Sequence, residues 1–142
     1  MKPLKLTTIE SYPGVPSIKL WLSTRSRDDN CVWVQPIVHE LYSKVTPNKE
    51  LDAILTRFDR HPQHRIGVQD GRLLALEVHR LARQENNLAS QYVYRAIGHA
   101  IATIHVHTHT YGTIVYGVKA LHQMGYSEEQ IHEFIQKYNE KG

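Results

Sequence analysis

From Asp29 to the C-terminus, apolar positions in this chain recur at helical spacing, and the longest such run is nearly free of charge. Between Arg95 and Lys119 lie twenty-three residues without Asp, Glu, Lys or Arg. At 100° per residue, Val93, Ile97, Ala100, Ile101, Ile104, Tyr111, Val115 and Val118 share one stripe. Gly98, Ala102, His105, His109, Gly112 and Tyr116 share a second. The second stripe is mostly small or His, so the pattern predicts a helix buried on both sides, with a neighbour at close range along Gly98 and Ala102. His99, His105, His107, His109 and four threonines exclude a membrane span, because each would need a polar partner in lipid. Thr108, Thr110, Gly112 and Thr113 lower helix propensity, which predicts two helical segments with a break within 107–112.

The flanking pattern predicts further helices. Asp29 or Asn30 can cap a helix to about Lys44, with Val32, Val34, Ile37, Val38, Leu41 and Tyr42 inward and Pro36 within its first turns. Asn48 can cap a second through about Arg60, burying Leu51, Ile54, Leu55 and Phe58. A loop follows at His61-Pro62 to Gly67. A third helix starts at Asp70 and buries Leu73, Leu74, Leu76, Val78 and Leu81, ending at Asn86-Asn87. Gly125 is suited to a left-handed helix end, and Ser127 with Gln130 forms a capping box for a last helix with Ile131, Phe134 and Ile135 inward. Residues 1–17, with Pro3, Pro13, Gly14 and Pro16, read as an irregular arm with an extended piece at Leu4–Ile9, followed by an apolar IKLWL patch. The expectation is all-α: a compact single-domain bundle of five or six helices over 1–142, with any sheet no larger than a minor N-terminal hairpin.

At 142 residues the chain can bury a full core. Its 41% hydrophobic and 22% charged content are ordinary for a globular domain. The single cysteine, Cys31, excludes an internal disulfide and suits a reducing compartment; no secretory signal pattern is present, which points to the cytoplasm. A net charge of +3 permits an acidic partner without demanding nucleic acid.

The run LALEVHRLARQENN followed by YVYRAIGHAIATIHVHTHTYGTIVYGVKAL resembles the signature of small bacterial immunity proteins of polymorphic toxin systems. His79, Arg83, Arg95, Gly98, His99, Ala102, His105, Val106, His109, Gly112, Tyr116, Lys119 and Ala120 carry the resemblance, over about 74–121. It implies an all-α cytoplasmic protein that neutralises a toxin by binding it.

His79, Arg83, Arg95, His99, His105, His109, Tyr116 and Lys119 are therefore the candidate binding residues. His105 and His109 stand four apart, so one helical face would present both imidazoles, with His79 as a third ligand from the preceding helix if a metal were held. No Glu follows His105 in the HExxH manner, so the usual base of a zinc hydrolase is lacking. The expectation is instead that the three rings are largely buried, mutually close and hydrogen-bonded without metal. Arg95 is expected to pair with Glu77 or Glu85 and fix helix register. The segment 57–65, RFDRHPQHR, is either a solvated surface or a face for an acidic protein. Cys31 reads as a core thiol, or, near a helix start, as one of lowered pKa. No catalytic residue and no cofactor is indicated. Three classes remain: a binding protein, with a toxin as partner and no role for nucleic acid or membrane; a metal-binding helical-bundle enzyme on His79, His105 and His109; and a structural module, with self-association open to it.

Overall fold

The computed structural model describes residues 1–139. Among them are eight α-helices and no strand: α1 (Leu6–Glu10), α2 (Val15–Ser23), α3 (Arg27–Tyr42), α4 (Lys49–Asp59), α5 (Val68–Gln84), α6 (Leu88–Ala102), α7 (Thr110–Gln123) and α8 (Glu128–Asn139). A 3₁₀ turn, His107–His109, leads into α7. The all-α expectation holds, with more helices than five or six. None is long and apolar enough to cross a membrane.

Helix α6 is the spine. Val93, Ala96, Ile97, Ala100 and Ile101 are wholly buried along it. Helices α5 and α7 pack along α6, and α3 lies across both α6 and α7. Its contribution to the shared core is Cys31, Val34, Ile37, Val38 and Leu41. Helix α4 buries Leu51, Ile54, Leu55 and Phe58, as its amphipathic pattern requires, and its cap is Asn48, whose side chain accepts from Leu51 N at 3.0 Å. The capping box of α8 also forms: Ser127 N donates to Gln130 Oε1 at 2.9 Å and Gln130 N to Ser127 Oγ at 3.1 Å. Gly125 has φ +89, the left-handed geometry that ends α7.

Several expectations are corrected. The N-terminal arm is not irregular: α1 covers most of the segment expected to be extended, and α2 begins after Gly14, whose φ of +94 turns the chain into the helix. Helix α3 is capped by Ser26, which accepts from Asp29 N at 3.1 Å, so Asp29 and Asn30 lie inside it and Pro36 falls in its middle rather than in its first turns. Pro36 and Val32, the residue whose carbonyl it deprives of a partner, are both exposed, so water can satisfy that group. Val32 is thus not a core residue. Helix α5 begins at Val68 rather than Asp70, and Leu73 and Leu76 are exposed rather than buried. Its inner face is Gly71, Ala75, Val78 and Ala82 with Leu81, which leaves the two leucines on the outer side.

The charge-free run breaks at 103–109, earlier than 107–112. Helix α6 ends at Ala102, Val106 is extended (φ −143°, ψ 114°), and α7 returns along α6. The threonine hydroxyls add hydrogen bonds around this turn. Thr110 Oγ1 donates to His107 O at 2.9 Å and lies 2.9 Å from Thr103 Oγ1. Thr113 Oγ1 donates to Ala96 O at 2.9 Å, tying α7 to α6. Asn30, wholly buried, donates from Nδ2 to Leu22 O and to His107 O.

Candidate functional site

Two glycines open the space in which the histidines sit. A Cβ on Gly98 would lie 2.6 Å from the His79 ring, and one on Gly112 would lie 2.5 Å from the His99 ring. Only glycine lets a helix backbone come this close to an imidazole. The close approach expected at Gly98 is therefore real, and what fills it is the His79 side chain of α5. Ala102 is buried beside it.

The rings form a continuous ladder. His105 and His109 have centroids 5.4 Å apart, His109 and His99 5.7 Å, and His99 and His79 5.4 Å. His99 also stacks on Tyr116 at 5.2 Å and 17°, and Tyr116 lies 6.1 Å from Tyr92. Lys119 Nζ stands over both tyrosine rings, at 5.4 Å and 5.6 Å. His105 and His109 thus meet, although not as two steps of one helix: His105 is in the turn after α6 and His109 closes the 3₁₀ turn. All three rings named as a possible metal set are partly exposed, where they were expected to be largely buried, and His99 joins them.

Arg95 takes a role not expected of it. Its Nη1 donates to His79 Nδ1 at 2.9 Å, while Glu77 pairs with Arg80. Arginine is always a donor, so Nδ1 of His79 must be the bare nitrogen and the ring proton sits on Nε2. Burial first, then the charges of Arg95 and Arg83, lower the His79 pKa to about 4. Burial and the neighbouring His79 lower that of His99 to about 4 as well. His105 is shifted in the same direction by burial, then by His109, Arg72 and Arg27. At neutral pH the His79 and His99 rings are uncharged.

A cavity of about 180 Å³ opens onto the ladder, lined by Arg72, Ala75, Leu76, His79, His99, Ala102, His105 and His109. Four of these, His79, His99, His105 and His109, were candidate binding residues in the sequence, and Ala102 belongs to the small-residue stripe. Arg95, Tyr116 and Lys119 support or extend the ladder, whereas Arg83 is exposed and acts on His79 through its charge. Arg72, Leu76 and Tyr92 were missed. The signal for the first two was the row Arg72, Leu76, His79 and Arg83 on one face of α5, obscured by reading Leu76 as core. Nδ1 of His105 is buried without a hydrogen-bond partner. Among the described residues no three His, Cys, Asp or Glu side chains are arranged to hold a metal ion.

The competing surface, 57–65, satisfies much of its charge internally. Arg65 makes a two-pronged pair with Asp28 at 2.7 and 3.1 Å, Arg57 approaches Asp70 at 3.4 Å, and His61 is buried and accepts from Ile66 N at 3.0 Å. Cys31 is a core thiol; burial, then Asp28, push its pKa up to about 12, against the lowering that a helix start could give.

Fold and site together define an all-helical protein whose central antiparallel helices carry a histidine-lined groove. A family model described as Imm-5 like putative immunity protein matches residues 21–141, and the chain belongs to that family. The match extends well beyond the 74–121 segment that carries the resemblance, taking in α3, α4 and α8. No curated protein and no solved structure matches the chain.

Proposed function

We propose that this protein neutralises a toxin by binding it in the cytoplasm, without catalysis, and that the α5–α6–α7 groove is the face that meets it. The observation that carries this reading is the convergence of the resemblance residues. His79, Arg95, His99, His105, His109, Tyr116 and Lys119 come from three helices and a turn, yet meet in one ladder beside an open cavity. Side chains that served only the core would be expected to close over one another. Here Leu76, 54% exposed, and Arg72 stand at the rim of the groove. An apolar side chain beside a cation on a rigid helix is suited to protein recognition.

The test is co-expression with a toxic product of a gene neighbouring its own. Growth should be restored, and the two proteins should co-purify. Leu76→Asp should abolish both while leaving the circular dichroism spectrum unchanged. No complex and no protection by the wild-type protein would overturn the reading.

A further inference from the structure

We propose that the α5–α6–α7 groove receives an acidic side chain, Asp or Glu, of the partner protein, its carboxylate toward Arg72 and His105 and its methylenes against Leu76 and Ala102. The inference deepens the toxin-binding reading and rests on it for the partner. The volume, about 180 Å³, suits one inserted side chain and is too small for a helix. The lining is divided: Ala75, Leu76 and Ala102 are apolar, and the remaining wall is the rings of His79, His99, His105 and His109 with the Arg72 side chain. His105 Nδ1 is buried with no partner, and buried polar atoms of native proteins are nearly always paired.

Charge then selects among inserted residues. Among the described residues, the charges acting on His79, His99 and His105 are cationic: Arg95, Arg83, Arg72, Arg27 and any protonated His. An incoming Lys or Arg would meet its own sign. A purely apolar side chain would leave His105 Nδ1 without a partner. A carboxylate answers both with the His105 ring proton on Nδ1: it accepts that N–H and offsets the positive charge of Arg72.

Sodium propionate, which carries the Glu side-chain carboxylate on two carbons, is the probe, with sodium chloride and n-propanol as charge-only and apolar-only controls at matched ionic strength. Histidine ring resonances read the site directly. Propionate should shift His99, His105 and His109 saturably, roughly tenfold more tightly than either control, and Arg72→Gln, an exposed substitution, should weaken it. Propionate, and not chloride, should also compete the toxin off. An equal response to chloride or propanol, or no response, overturns the proposal while leaving an observed toxin complex standing. Binding of propionate without displacement of toxin assigns the groove to free small acids and overturns the protein side chain as occupant. Absence of any toxin complex overturns the neutralisation reading and, with it, the partner named here.

Discussion

Gly98 and Gly112 are the positions where one added carbon matters most. Each backbone lies against an imidazole, and each hypothetical Cβ falls far inside van der Waals contact. Gly98→Ala and Gly112→Ala should each destabilise the fold by about 1–3 kcal/mol, because the ring must move against packed neighbours. Denaturant unfolding measures this. Shortening the obstructing side chain should remove most of the Gly98→Ala penalty, so the double variant His79→Ala with Gly98→Ala should be less destabilised than the sum of the two singles. Additive losses would show that the ring is not the obstacle. At this scale much was legible. The small-and-His stripe marked the residues that meet, because it records a close approach that any neighbour would need. Their partners were not legible: the Arg95–His79 bond depends on how α5 and α6 align, and Glu77, equally near in sequence, takes Arg80 instead.

Among the elements, the turn at 103–109 decides the architecture. Low helix propensity announced it, but its position is set by contacts the sequence does not display. Asn30 reaches from α3 to the His107 carbonyl, and His107 Nε2 donates to Ser23 O at 3.1 Å. Asn30→Ala removes two donor bonds from a buried site and should cost roughly 1–3 kcal/mol. Hydrogen exchange should accelerate first in 103–109 if the turn is held from α3; uniform acceleration across the chain would contradict this. The N-terminal helices were missed for a related reason. Helix α1 has no capping side chain at Lys5, and the Pro and Gly signals around α2 mark its entry rather than a disordered arm. Leu73 and Leu76 were misread because an apolar residue at helical spacing says nothing about which face the fold covers.

For the whole molecule, the neutral histidines link stability to pH. The folded pKa values of His79 and His99 lie near 4, below the ordinary 6.5 of an unfolded chain. Between those values the unfolded state binds more protons, so stability rises with pH. It should be full above about pH 6.5 and decline as pH falls from 6.5 toward 4, by at most about 1.4 kcal/mol per pH unit for each ring. Urea unfolding at a series of pH values measures this; stability unchanged across that window would mean the rings are accessible to protons in the folded state. Cys31 should resist thiol reagents in native buffer and react on unfolding, as burial and its raised pKa require.

The central claim is that the histidine-lined groove, and not the basic 57–65 segment, is the surface that meets the toxin. Hydrogen–deuterium exchange of the free protein and of its toxin complex separates the two directly. The account predicts new protection over the outer face of α5 from Arg72 to Arg83 and over the 103–109 turn, with the 57–65 segment unchanged. Protection confined to 57–65, with the groove exchanging as in the free protein, would contradict it.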